Sequence, residues 1–168
     1  MHVEVCSRSP CLVQNPAHTP QIEDTLRSYP YFYSTTDMGG TMTVLMAYDG
    51  REHTQKALDY ALKYAKLFNE RLHIISVFPS KEHLSEMDAI EEKFAQIKKT
   101  ASEQGVDVVT QVESGHPSTV LLECAQRLNC SAIIVGRAAN KTGLDRVVLG
   151  SVSNYVVSNA QCIVIVVQ

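Results

Sequence analysis

The chain lacks tryptophan, and only 7% of its 168 residues are aromatic. Its five cysteines are odd in number and include no CxxC pair, which is typical of a reduced protein rather than of a zinc site or a disulfide scaffold. Basic and acidic residues nearly balance, at 15 against 18, so the positive charge of a nucleic-acid-binding protein is missing. These absences favour an ordinary globular domain without a metal site or a nucleic-acid partner.

Long apolar runs and targeting patterns are missing as well. No run approaches the roughly 20 apolar residues that a membrane-spanning helix needs. The N-terminal residues lack the basic-then-apolar layout of a secretory signal. We therefore expect a cytoplasmic protein with no membrane partner.

Residues 1–40 differ in composition from the rest of the chain. They contain four prolines, and neither a helical nor a strand period is sustained among them. This composition predicts a disordered or loosely docked N-terminal tail. A single domain follows over residues 42–168, and Met42 is an alternative translation start.

From Met42 onward, short apolar runs alternate with segments of helical period. The runs predict buried strands at 43–48, 72–78, 106–112, 131–135 and 162–167. Helices are predicted at 54–68, 85–104, 117–128 and 151–158, with a further helical turn near 144–149. This alternation predicts an α/β fold, a single doubly wound, Rossmann-like domain with a five-stranded parallel sheet. Ligands of such sheets bind beyond the carboxyl ends of the strands, where the strand order reverses.

The segment 136–153 carries residues suited to such a site. Gly136 ends a strand, and its missing side chain would let a ligand approach the backbone. Gly150, Ser151 and Ser153 open a helix, whose unpaired N–H groups and partial positive charge suit a phosphate. The intervening loop carries three cations and one carboxylate. The same residue types also fit a capped helix beside a solvated basic loop, so both interpretations stay open.

Three other polar residues fall in predicted turns. Asp49 is either a ligand contact or a helix-capping residue, and its place at a strand end favours the contact. His53 and His116 lie near helix starts, where an exposed turn position is favoured over a phosphate contact. Walker A, GxGxxG and GxSxG motifs are absent, and no general base is evident beside the loop. We expect a binding protein without catalytic residues.

Four segments and the apolar run at the end of the chain form a recognisable combination: Val44–Gly50, Gly115–Ser118, Ala132–Gly136 and Leu149–Ser153. Through them, residues 43–168 resemble the universal stress protein family from end to end. It implies an adenine-nucleotide α-hydrolase-like fold and a stress-response or regulatory role. It also implies a homodimer formed through the last strand. The two apolar faces of that strand, predicted to lie at a sheet edge, favour the same pairing.

The resemblance further implies ATP bound by a Gly-x2-Gly-x9-Gly-Ser/Thr loop, with Mg²⁺ accompanying the phosphates. Asp49 and Ala47 would meet the adenosine, and the backbone of Val77 would meet the adenine. The corresponding loop residues here are Gly136, Arg137, Gly150, Ser151, Val152 and Ser153. Ala139 replaces the middle glycine, and the spacing from Gly136 to Gly150 is one residue longer than the pattern. We therefore expect ATP binding that is weaker than in members with the full pattern.

Two other functions remain open on the sequence. One is a dimeric, stress-related interaction protein with a vestigial nucleotide site. The other is an enzyme that uses ATP to activate a substrate, which would need a second substrate domain or a catalytic insertion. The chain is too short to show either. A nucleotide retained through purification would favour the ATP-binding function.

Overall fold

The computed structural model describes residues 3–6, 41–80, 84–137 and 150–168. Its strands are β1 (Val3–Cys6), β2 (Thr43–Ala47), β3 (Arg71–Phe78), β4 (Val108–Ser114), β5 (Ala132–Gly136) and β6 (Ile163–Val167). Its helices are α1 (Glu52–Phe68), α2 (Leu84–Glu103), α3 (Pro117–Arg127) and α4 (Ser151–Asn159). The helical turn predicted near 144–149 lies outside the described residues.

All six strands form one sheet in the order β1-β6-β5-β2-β3-β4. Strands β2 to β6 pair in parallel, which confirms the doubly wound five-stranded parallel sheet. The chain moves outward from β2 to β4, and then continues on the other side of β2 with β5 and β6. The winding direction therefore reverses between β2 and β5, and their carboxyl ends border a crevice.

The helices cover both faces of the parallel strands. Val44 and Met46 of β2 pack with α1 and α2, whereas Leu45 packs on the opposite face with α3 and α4. Both faces of β2 are thus fully buried at Val44, Leu45 and Met46, as are those of β5 around Ile133 and Ile134. This burial is why the strands appear in the sequence as continuous apolar runs rather than as alternating patterns.

No helix among the described ranges is long and apolar enough to cross a membrane.

A left-handed residue follows each of helices α1, α2 and α3, respectively Asn69, Gly105 and Asn129. After α2, the N–H of Gly105 donates to the carbonyl of Ser102 and the N–H of Val106 to that of Ala101. This is the Schellman pattern, in which an apolar residue after the left-handed one packs back on the helix. Val106 is buried in this way. Strand β4 consequently begins at Val108, two residues later than its apolar run predicts.

Glu70 follows the left-handed Asn69 and ties the amino ends of two strands together. Its carboxylate accepts a hydrogen bond of 2.5 Å from the hydroxyl of Ser131, just before β5. Burial raises the pKa of Glu70, against a smaller lowering by the Ser131 hydrogen bond. The folded protein therefore keeps this proton to higher pH than the unfolded chain does. Stability decreases as pH rises from the ordinary carboxyl range through the folded pKa.

Glu70→Gln is expected to raise the melting temperature at pH 7. The neutral amide keeps an acceptor for Ser131 and removes the cost of holding a carboxylate away from water. The gain should shrink at pH 4, where the carboxyl of the native residue is itself protonated. Thermal unfolding at both pH values measures the difference, with the exposed Glu103→Gln as the matched control. An equal loss of stability at both pH values would show that the charge on Glu70 is not the destabilising feature.

Strand β1 lies within the predicted N-terminal tail. It pairs antiparallel with β6, from Val3 opposite Val167 to Cys6 opposite Val164. The expectation that β6 forms the edge of the sheet is wrong, because β1 lies outside it. Residues 7–40 are outside the described part of the chain, so a loosely ordered tail stays a prediction for them.

Candidate functional site

The crevice between β2 and β5 is bordered by residues that follow these two strands. Asp49 comes two residues after β2, Gly136 is the last residue of β5, and Arg137 follows it. Ala47 and Val77 are partly exposed at the same edge and face the layer formed by α3 and α4. Val77 lies on β3, one strand further from the crevice. The strand ends predicted to hold a ligand thus lie together at the carboxyl-terminal end of the sheet.

Asp49 organises the turn into α1. Its Oδ1 accepts hydrogen bonds from the N–H of Arg51 at 3.0 Å and from the hydroxyl of Thr54 at 2.9 Å. Its Oδ2 lies 3.6 Å from Arg51 Nε and 3.6 Å from His53 Nε2. Asp49 therefore shapes the turn before α1, and neither of these hydrogen bonds caps a backbone N–H of the helix itself. The side chain stays 44% exposed, so its carboxylate also remains accessible to solvent.

His53 lies over the end of β5, a position that sequence reasoning did not anticipate. A Cβ atom added at Gly136 would come within 2.7 Å of the His53 carbonyl oxygen and within 3.2 Å of its ring. The missing side chain of Gly136 is therefore explained by the close approach of α1, and not by a ligand at that point. This contact also brings the turn at Asp49 next to the end of β5. Of the two candidate histidines, His53 is the one at the crevice.

Among the candidate residues, Arg137 has the side chain whose surroundings most clearly favour an anion. Its backbone N–H donates to the carbonyl of Val167 at 2.8 Å, which fixes the residue beside the end of β6. Its side-chain Nε is buried and has no hydrogen-bond partner among the described residues. A buried guanidinium nitrogen without an acceptor is costly, and an anion is the natural acceptor for it.

Helix α4 begins at Ser151, after Gly150 at its N-cap. Gly150 has φ −59°, which any residue adopts, and a Cβ added there would meet nothing within 4 Å. Neither backbone strain nor packing against the described residues therefore explains a glycine here. Ser151 is exposed at the first turn, and Ser153 is buried. No described residue fills the space at this helix start, and the first N–H groups of a helix lack partners within the helix, as an anion site requires.

The other candidate residues lie elsewhere or form no site. His116 is exposed before α3, and its Nδ1 lies 2.9 Å from the Ser118 hydroxyl. No group of three or more metal-ligating side chains occurs among the described residues. A groove of about 350 Å³ runs between α1 and α2, away from β5, and the Lys93 ammonium donates to the Gly50 carbonyl in it. Ala139 and the lengthened loop fall in the undescribed range 138–149.

Comparison with known proteins supports one family. The model of the universal stress protein family matches residues 40–168. The universal stress protein MJ0531 of Methanocaldococcus jannaschii is 31% identical over 138 residues, which span 74% of this chain and 81% of that protein.

Solved structures show the same fold. UspA from Lactobacillus plantarum superimposes with a TM-score of 0.67 at 22% identity, covering 76% of this chain and 98% of that one. A universal stress protein from Archaeoglobus fulgidus, solved in complex with dAMP, gives a TM-score of 0.61 at 16% identity. That match covers 77% of this chain and 98% of the other.

Proposed function

The chain belongs to the universal stress protein family, and from this premise we propose that it binds an adenine nucleotide in the crevice between β2 and β5. ATP accompanied by Mg²⁺ is the proposed ligand. The protein would act in the cytoplasm as a dimeric stress-response regulator, with little or no hydrolysis.

The buried Nε of Arg137 is the observation that carries this proposal. It needs an acceptor that the described residues do not provide. A phosphate oxygen supplies one together with a negative charge, and a charge-assisted hydrogen bond is the strong kind. The backbone bond of Arg137 to Val167 places this residue at the end of β5, beside the crevice.

The remaining residues divide into two groups around Arg137. The N–H groups at the start of α4 and the hydroxyl of Ser151 would hold phosphate oxygens, with Gly150 leaving the space for them. Ala47 and Val77 would border the base, and the exposed part of Asp49 would face the sugar. The dAMP complex of the Archaeoglobus fulgidus protein shows that a member of this fold accommodates adenine, sugar and one phosphate. Mg²⁺ would be held mainly through the phosphates, as this ion usually is.

Arg137→Gln is expected to weaken the binding of Mg-ATP about ten- to hundredfold. This follows from the loss of one charge-assisted hydrogen bond, worth about 1.5–3 kcal/mol. Titration calorimetry on the wild type and the variant measures the change. Lys98→Gln removes a cation from an exposed position on α2 and should leave the affinity unchanged.

Two results would decide against the proposal. The first is a wild-type protein that gives no heat at millimolar Mg-ATP and carries no nucleotide after purification, as judged by mass spectrometry of the denatured sample. The function would then be that of an interaction protein with a vestigial site. The second is an equal loss of affinity in both variants, which would show an effect of net charge rather than of Arg137.

A further inference from the structure

Strand β1 occupies the outer edge of β6. Its four residues face Val164–Val167, which is most of the five-residue β6. An uncovered edge strand presents a row of unpaired N–H and C=O groups, and it is a template for pairing with another chain. In this structure, β1 of the same chain already pairs with this edge.

The direction of β1 matches what a second copy of the protein would offer. Two identical edge strands related by a two-fold axis pair antiparallel, because the symmetry reverses one strand against the other. Strand β1 also runs antiparallel to β6. It therefore takes the place, direction and backbone hydrogen bonds that the partner's β6 would take. The two pairings exclude each other.

The surface beside this edge has the character of an interface. Helix α1 packs over β5 and β6 and carries an aromatic row, Tyr60, Tyr64 and Phe68. Neighbouring rings in the row are 6.5 and 4.5 Å apart. Phe68 is 36% exposed at its end. Partly exposed aromatic side chains on the helix that packs over β6 favour a folded second copy over an isolated extended peptide as the occupant of the edge.

We propose that residues 3–6 act as an intramolecular cap that competes with a second copy of the chain for the edge of β6. The proposal rests on the homodimer that the proposed function includes. With β1 in place the protein is monomeric, and with β1 released the β6 strands of two copies pair. Because β1 belongs to the same chain, its effective concentration is independent of protein concentration. The fraction of dimer, in contrast, increases with protein concentration. Any event that withdraws residues 3–6 from the sheet thus promotes dimerisation.

Proline substitutions in the full-length chain test the release of β1. In an antiparallel pair, the N–H groups of successive residues point alternately toward the partner and away from it. Glu4→Pro and Val5→Pro are two separate variants, and one of them therefore removes an N–H that donates to β6. In both, proline also fixes φ within this short strand. At least one variant should dimerise about tenfold more tightly than the wild type or more in analytical ultracentrifugation. Glu4→Thr keeps the N–H, suits a strand, and should behave as the wild type.

A cross-link tests the capped state. Cys6 is opposite Val164, and directly paired antiparallel residues have Cα atoms about 4.5–5.5 Å apart, within disulfide range. Oxidised Val164→Cys should form a link between positions 6 and 164 within one chain and remain monomeric. Its reduced form should recover the concentration-dependent dimer. Peptide mapping by mass spectrometry identifies the link.

Distinct outcomes would overturn the cap and the dimer. In the cross-linking experiment, the cap is wrong if the disulfide between positions 6 and 164 does not form or if it joins two chains. In the sedimentation experiment, the cap is wrong if the wild type dimerises and both proline variants dimerise as the wild type does. If the link forms within the chain but no variant dimerises, the homodimer itself fails and the cap has nothing to compete with. Neither outcome bears on the calorimetric test of nucleotide binding.

Discussion

Gly136→Ala is expected to destabilise the protein by about 1–3 kcal/mol, the usual cost of forcing an extra methyl group into a packed site. The added Cβ would lie 2.7 Å from the carbonyl oxygen and 3.1 Å from the carbonyl carbon of His53. Both atoms are backbone, so the first turn of α1 must move to make room. For a domain of this size, each kcal/mol shifts the melting temperature by about 2–4 °C. Thermal or urea unfolding measures the loss.

Gly150→Asn is the matched control for this prediction. It also adds a Cβ at a glycine of the crevice, but to a position with nothing within 4 Å and with an ordinary φ. Its stability should equal or slightly exceed that of the wild type, because asparagine is a favourable N-cap residue. If Gly136→Ala and Gly150→Asn are equally stable, the start of α1 does not lie against β5, and the crevice has a different shape.

Gly150→Asp is expected to weaken nucleotide binding strongly without loss of stability. Aspartate is a favourable N-cap residue and should add a few tenths of a kcal/mol to the stability of the helix start relative to glycine. Its carboxylate would, however, occupy the N–H groups meant for phosphate and repel the phosphate charge. Two charges 4–8 Å apart at an effective dielectric constant of about 20 repel by about 2–4 kcal/mol, which weakens binding roughly thirty- to thousandfold.

Calorimetry with Mg-ATP, run beside thermal unfolding, separates the two effects of this substitution. Gly150→Asn has nearly the same size without the charge, so it should retain much more affinity than Gly150→Asp. Equal affinity of the two variants would place the phosphates away from the start of α4. A folded Gly150→Asp protein that binds as the wild type does would remove α4 from the site altogether.

The parallel sheet and its helices follow closely from local patterns in the sequence. Buried parallel strands require apolar residues on both faces, so β2, β3, β5 and β6 stand out as short apolar runs. Strand β4 was predicted two residues too early because Val106 is apolar for a different reason, the packing of the residue after Gly105 against α2. A period of apolar residues indicates burial, but it does not distinguish a strand residue from an apolar residue that follows a helix and packs back on it.

The roles of the two crevice glycines could not be separated from the sequence. Gly136 and Gly150 both fit a loop that approaches a ligand. In the structure, only Gly150 leaves open space, whereas the space at Gly136 is filled by the carbonyl of His53. Residue type shows that a side chain is missing, and only the tertiary contacts show what takes its place. The position of His53 was missed for the same reason, because it depends on the packing of α1 on the sheet.

Strand β1 could not be predicted either. Its pairing joins residue 3 to residue 167, and no local signal reports a contact at such sequence separation. The surrounding prolines indicated a tail, and a four-residue segment is too short for a period to outweigh that composition. The apolar character of β6 predicts pairing at its outer side, yet it does not specify that a segment of the same chain pairs there.

The pairing of Val3 with Val167 places these two residues side by side at one edge of the sheet, although they are distant in the sequence. A designed loop of about three residues from Val167 to Val3, a common length for a hairpin, would connect β6 to β1 directly. New termini would then be opened in the segment that links β1 to β2. In such a permuted protein, β6 and β1 would be consecutive strands of one hairpin, and the long-range pairing would become a local one.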